Sequence, residues 1–408
     1  MSERAKLQLL TRSADESGFE IFEVDSSQAY SGFKPQKMPA AAWELRRQPL
    51  AIDGTRHFVL YSLRHERYLL LNSQEHFLWE QFDGHNSLEE IARAFHLKYG
   101  AFDYALIRDF LAKLYHAGLI EDHGTVAQIN HFVSPKERSR DDRFGRMVDS
   151  WRRFALRTRR ADRFCSMIYR GGAFILFHPL TFWMVVAMAV VALAAAFELA
   201  AHSIDFARRL SGYPFLSTAV ILASLAAAST LHVLFHALAC KAHGRRVREI
   251  GFFLLQGVLP TFYTDVTDIF MTNRRARLLV DLAGPMVEVF FGSLAMLIAY
   301  FSAPGIEQAL LFGVGILLWE SALINLYPFS FLELDGYNIL ADLLAMPMLR
   351  RQALALIPTL PHRLRTIRSI QRAELIQIGY LGLCLISVVI YLVLHLDAIS
   401  ALLTFAWS

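Results

Sequence analysis

Residues 214–249 read PFLSTAVILASLAAASTLHVLFHALACKAHGRRVRE. The run from Pro214 to about Cys240 is apolar or small, enough to cross a bilayer, which needs about 20 residues. It closes on Lys241, Arg245, Arg246 and Arg248, a basic tail of the kind that holds the cytoplasmic side of a membrane. Inside the run stand two histidines four residues apart, His232 and His236. On a helix that spacing puts both imidazoles on one face, where they can grip one zinc ion, as in the H-E-x-x-H motif. The motif places a proton-moving glutamate directly after the first histidine, and here that residue is Val233. The stretch therefore reads as a membrane helix carrying the metal half of a zinc motif at its cytosolic end.

The same pattern recurs outward from this helix. The chain has 408 residues, 54% hydrophobic, with a positive mean hydropathy, against about 45–50% apolar for an ordinary soluble domain. The excess lies beyond residue 174, while the earlier part reads as soluble. Five apolar segments, at about 178–200, 214–240, 279–301, 308–330 and 374–396, are long enough to span. Assigning the basic loops KAHGRRVRE, TNRRAR and LRRQALALIPTLPHRLRTIRSIQR to the cytosol puts the N-terminus inside and APGIEQ outside, with Arg208 and Arg209 as a minor exception. The opening MSERAKLQLLTRSADESG lacks the apolar core of a signal peptide and is expected to stay cytoplasmic. Three scattered cysteines, Cys165, Cys240 and Cys384, give neither a disulfide framework nor a C-x-x-C pair. The expected fold is mainly α: a polytopic helical membrane bundle of about five spans, preceded by a small winged-helix-like α+β domain. The expected boundaries are 1–47 for a flexible N-terminal segment, 48–122 for the small domain, 123–173 for a basic connector and 174–408 for the membrane domain.

In the small domain, RHFVLYSL and RYLLLN read as two strands joined by a tight turn at Arg64, His65 and Glu66. SQEHFLWEQF reads as a short helix. SLEEIARAFHLKYG opens with Ser87 and Glu90 in capping-box spacing and carries Leu88, Ile91, Ala92 and Phe95 on one face. DYALIRDFLAKLYHAGLI repeats that pattern and closes at Gly118. Neither amphipathic helix has a basic stripe, which argues against nucleic acid. Between residues 136 and 170, twelve Lys and Arg stand against five acidic residues, with Trp151, Phe154 and Phe164 among them. Running straight into a span, that cluster reads as a topology signal and a contact for anionic lipid.

The order YLLLNSQEHFLWEQFDGHNSLEEIARAF through LIRDFLAKLYHAGLI resembles the PqqD family of peptide chaperones, also called precursor-peptide recognition elements. The resemblance covers almost the whole small domain. It implies that an extended leader peptide adds a strand to the sheet edge and lies against a helix. The plainer alternative is a folded docking or stabilising domain.

Beyond the histidine helix, the fourth span ends in INLYPFSFLELDGYNIL. Asp335 lies there near the same membrane face, able to supply a third ligand to zinc; a carboxylate so close to the bilayer needs such a reason. Asn325 and Pro328 precede it, where the span end is expected to break. GFFLLQGVLPTFYTDV is too short, and too broken by Gly257 and Pro260, to span; it reads as a re-entrant hairpin or loop beside the site. Asp265 and Asp268 read as helix caps, and His243 as lying past the membrane edge.

Three pieces in order, HALACKAHGRRVREIGFFLLQGVLPTFYTDVTD, RRARLLVDLAGPMVEVFFG and NLYPFSFLELDGYNILADLL, resemble the site-2 protease type of membrane-embedded zinc metallopeptidase. The resemblance runs from about residue 170 to 350. It implies zinc at His232, His236 and Asp335, and an edge strand that pairs with substrate. Val233 removes the general base, a role worth about 10² to 10⁴-fold. Two carboxylates are candidates for a surrogate: Glu288, after the Ala283-Gly284-Pro285 turn, and Glu320 in the fourth span, both expected to face the bundle interior. Either is equally readable as a hydrogen-bonding partner of the zinc histidines. The chain thus reads as a bacterial inner-membrane protein with a cytoplasmic peptide-recognition module. It either cleaves a leader or membrane-bound peptide or serves, as a zinc- and peptide-binding pseudoprotease, an export-system partner in an export or maturation complex. A transporter would show internal inverted repeats, and none is visible in the sequence.

Overall fold

A computed structural model describes residues 6–12, 19–25, 33–51, 54–100, 104–121, 156–158, 160–255, 259–359 and 371–394. It separates into two compact units, Met1–Pro49 with Thr55–Asp142, and Leu50–Gly54 with Arg143–Ser408.

In the first unit, β1 (Lys6–Arg12) and β2 (Phe19–Asp25) pair antiparallel, Lys6 opposite Asp25 and Arg12 opposite Phe19. The sequence predicts no structure for residues 1–47, and these two strands correct that expectation. Leu7 and Leu9 on one, Phe19 and Ile21 on the other, carry a period-2 signal that the polar composition around them hides. A second sheet follows, in the order β3 (Trp43–Leu50), β4 (Arg56–Ser62), β5 (Arg67–Leu71). β4 and β5 form the expected hairpin, Ser62 opposite Arg67, with Glu66 at φ 51° in its turn. β3 was not anticipated, and most of it also falls before residue 48.

Three helices complete this unit: α1 (Ser73–Gln81), α2 (Leu88–Tyr99) and α3 (Tyr104–His116). α2 carries the expected capping box, and α1 carries a second one built on Asn72 and Glu75. Trp79, Phe82, Phe110, Leu78 and Leu114 fill the core. The segment ahead of β3 is stitched onto it, Gln36 bridging Asp83 and Lys37 bridging Ile120. At the Asp83–Gly84 turn, the Asp83 carboxylate accepts hydrogen bonds from the Asn86 and His85 amides, which hold its pKa below the usual carboxylate range.

The second unit opens with β6 (Leu156–Thr158), whose partner lies about ninety residues on, and α4 (Ala161–Arg170). Asp162 on α4 accepts hydrogen bonds from Lys241 Nζ at 2.8 Å and the Val247 amide at 2.9 Å. Burial alone would raise this carboxyl's pKa, but those two donors and Arg246 bring it below the ordinary value. The described part of the basic connector is therefore packed onto the end of the histidine helix. The chain continues through α5 (Pro179–Ala200), α6 (Ser203–Ser211) and α7 (Pro214–Ala242). A hairpin of β7 (Glu249–Leu255) and β8 (Leu259–Asp265) comes next, and β6 adds to it in the order β6-β7-β8. Then follow α8 (Arg274–Phe301), α9 (Ile306–Leu326), α10 (Asp335–Leu344), α11 (Leu349–Leu356) and α12 (Arg372–Leu394).

α5, α7, α8, α9 and α12 are long and apolar enough to cross a membrane, so the chain is a multi-pass membrane protein with five candidate spans. Many bulky side chains of these helices point outward: Phe197, Phe215, Leu222 and Val393 are all exposed. Small residues face the helix contacts instead. A Cβ added at Gly292 of α8 would sit 2.6 Å from Trp319 Cδ1 and 3.1 Å from the Gly315 carbonyl oxygen of α9, so the pair closes on glycine. α8 is the most deeply embedded of the five.

Candidate metal centre

The site is assembled from three helices. α7 contributes His232 and His236, one turn apart on the expected common face. α10 contributes Asp335 as its first residue, where a carboxylate suits the exposed amides of a helix start. Asp335 is thus on a short helix after the broken end of α9, rather than at the end of the fourth span itself. A Cβ at Gly336 would lie 2.1 Å from the Leu326 carbonyl oxygen, so only glycine lets the start of α10 close on the end of α9.

The three side chains converge, each histidine through Nε2 and Asp335 through both carboxylate oxygens. His232 Nε2 and His236 Nε2 are 3.0 Å apart; Asp335 Oδ2 is 3.1 Å from the first and Oδ1 is 3.4 Å from the second. These are the three residues whose donor atoms mutually approach within 4.8 Å among the described residues. Zinc bonds of about 2.0–2.2 Å in tetrahedral geometry separate neighbouring donors by about 3.3 Å. The observed spacings match that edge, and two imidazoles with one carboxylate are a borderline N/O set suited to zinc.

The remaining ring nitrogens are also held. His236 Nδ1 lies 2.7 Å from the Val280 carbonyl oxygen of α8, so its proton resides on Nδ1 and Nε2 is free to bind metal. His232 Nδ1 lies 3.1 Å from Glu288 Oε1, an ion-pair approach rather than an aligned hydrogen bond. Glu288 is buried in α8 and accepts hydrogen bonds from Ser321 Oγ at 3.0 Å and Asn325 Nδ2 at 3.3 Å, both on α9. It stands behind the His232 imidazole rather than beside the converging atoms, an arrangement that fits the alternative reading of this carboxylate as a partner of the histidines. α8 runs unbroken through Pro285, so the expected turn at Ala283-Gly284-Pro285 is a helical stretch. Its glycine has a different task. A Cβ at Gly284 would lie 2.4 Å from His236 Nε2 and 2.5 Å from His232 Nε2, inside the space the converging donors occupy.

Glu320 does not join this arrangement. Gly315, Leu318 and Ala322 turn inward on α9, which leaves Glu320 on the exposed face. The expectation that it faces the bundle interior fails on this angular ground, although its neighbour Ser321 reaches Glu288. Asp265 accepts from the Thr267 amide at 3.0 Å and so begins a short 3-10 turn, close to the capping expected. Asp268 instead accepts from the Arg246 amide at 2.9 Å, tying down the loop after α7. Val233 stays on the histidine helix with no proton to move.

Sequence reasoning passed over Asp281. It lies one turn before Gly284 on α8 and lines a cleft of about 770 Å³ formed by the β7–β8 hairpin, α8 and α10. A lone carboxylate in the run RLLVDLAGP was the available signal.

Residues 57–120 match the family model described as Coenzyme PQQ synthesis protein D (PqqD). The chain is 30% identical over 118 residues to "Putative peptide zinc metalloprotease protein YydH" of Bacillus subtilis (strain 168). That match covers 28% of this chain and 44% of the relative, so it spans less than half of the relative's length. No solved structure matches the chain. The protein thus joins a PqqD domain at residues 57–120 to a five-span membrane unit, and it is similar over part of its length to a protein named for peptide zinc proteolysis.

Proposed function

We propose that this chain is a site-2-protease-like zinc metallopeptidase homologue of the bacterial inner membrane that handles a peptide delivered by its cytoplasmic PqqD domain. The observation that carries the reading is the convergence of His232, His236 and Asp335 at tetrahedral spacing, with a carbonyl and a carboxylate behind the two imidazoles. Zinc bound there would act as a Lewis acid on a peptide carbonyl and activate water. The residues around it hold the ligands and exclude bulk: Gly284 makes room, Val280 fixes a tautomer, and Glu288 steadies His232.

The peptide enters this account through β5, which is the outer strand of the β3-β4-β5 sheet and leaves one backbone edge for a further strand. Val233 favours binding over rapid turnover. A pseudoprotease that holds zinc and a modified or leader-bearing peptide for a maturation or export partner is therefore the stronger form of the proposal. Neither Glu288, engaged behind His232, nor the exposed Glu320 supports a surrogate base.

The test is cleavage of candidate precursor peptides by the purified chain in lipid with added zinc, alongside Val233→Glu. Slow or absent turnover in the unmodified chain, raised by Val233→Glu at equal zinc content, is expected. Rapid chelator-sensitive turnover by the unmodified chain would replace the pseudoprotease form with the enzymatic one.

A further inference from the structure

The cleft beside the metal centre is not charge-balanced. Four carboxylates line it, Glu249, Asp265, Asp281 and Asp342, against the guanidinium groups of Arg248 and Arg277. Both guanidinium groups are already engaged: Arg248 pairs with Asp265 at 3.1 Å, and Arg277 with Asp342 at 2.7 Å. Glu249 accepts a hydrogen bond from Tyr263 at 2.9 Å. Asp281 has no hydrogen bond or close ion pair of its own among the described residues: its charged neighbourhood holds two further carboxylates, Asp335 and Asp342, against Arg277 one turn before it on α8, whose guanidinium is already paired with Asp342.

Its backbone adds to the imbalance. Pro285 has no N–H, so the Asp281 carbonyl lacks its usual donor four residues on. A carboxylate in a membrane span is expensive unless something offsets its charge. The α8 helix places Asp281 one turn from Gly284, and α10 places Asn338 of the same cleft one turn from Asp335. One turn is about 5.4 Å along a helix axis. A group seated against Asp281 is thus within one peptide unit or two of the converging donors.

We infer that Asp281 recognises a cationic group of the bound peptide, a lysine or arginine side chain or the free N-terminal amine, seated in the cleft next to the scissile or retained bond. The inference rests on the peptide-handling reading but not on the metal. A protonated amine would offset the carboxylate in a charge-assisted hydrogen bond, which a neutral side chain cannot do.

The test uses the full chain in detergent and fluorescent decapeptides of Ala, Gly and Leu. These carry one lysine, arginine or glutamine at stepped positions, with the N-terminus free or acetylated. At one position the lysine peptide should bind about tenfold tighter than its glutamine twin. Asp281→Asn should remove that preference and Asp281→Glu should keep it. If the amine is terminal, acetylation removes the preference and the lysine position does not matter. The unmodified chain should show the preference both with added zinc and after chelation, which separates this inference from the zinc reading. Equal affinity of the unmodified chain for every peptide would overturn the inference, whether or not any variant folds. So would equal weakening of all peptides by Asp281→Asn, the mark of a structural or proton-transferring role.

Discussion

The two units bury opposite kinds of side chain. In the PqqD domain, Trp79, Phe82 and Phe110 are almost wholly enclosed, and few large apolar side chains, Leu63 and Leu97 among them, stay exposed. In the membrane unit, Phe197, Phe215 and Leu222 face outward, while Ala192, Ala299, Ala309 and Gly292 form the contacts between helices. Water drives the first arrangement, since enclosing a large aromatic removes much apolar surface from solvent. Lipid tails offer no such gain, so the spans are held by close backbone approach and by polar groups between helices. The candidate metal centre depends on that second rule: Gly284 and Gly336 bring α8 against the histidines and α10 against α9.

Four variants probe the difference between the two units. Replacing His232 and His236 together by Ala should reduce bound zinc from about one per chain to background, read by elemental analysis, while the PqqD domain keeps its stability. Trp79→Ala should destabilise that domain by about 3–5 kcal/mol, measured by denaturant-dependent proteolysis of the full chain, and leave zinc content unchanged. A loss of zinc in this variant would mean the two units are not independent. Glu288→Gln should lower zinc affinity by about 10- to 100-fold in a chelator competition, because His232 loses the group that orients it. Unaltered affinity would reduce Glu288 to a hydrogen-bonding partner of α9. Leu222→Ala, by contrast, should shift thermal stability in lipid by no more than about 0.5 kcal/mol, since the side chain is 61% exposed. A cost near that of a core leucine would place a protein partner, rather than lipid, on this face.

Much of this was legible along the chain because the signals are local. The five spans follow from apolar length, and α2 announces itself through Ser87 and Glu90. The spacing of His232 and His236 marks the common face on which the structure brings them together. What escaped is set by distance in sequence or by helix rotation. β3 and the bridges at Gln36 and Lys37 answer to a sheet and turns formed later in the chain. Glu288 and Glu320 are both carboxylates in apolar runs, and only the angle at which each leaves its helix sends one behind His232 and the other outward. Asp281 was hidden by the nearby Gly284-Pro285, which reads as a turn and is continuous helix.

On the reading proposed above, two imidazoles and one carboxylate hold zinc between α7 and α10. X-ray absorption at the zinc edge of the purified full chain tests it most directly. The expected spectrum has nitrogen and oxygen neighbours only, at about 2.0–2.2 Å, with imidazole scattering that disappears with the two histidines. Sulfur at about 2.3 Å would assign the metal to Cys165, Cys240 or Cys384 instead, and a chain without a zinc edge after zinc loading would contradict the claim outright.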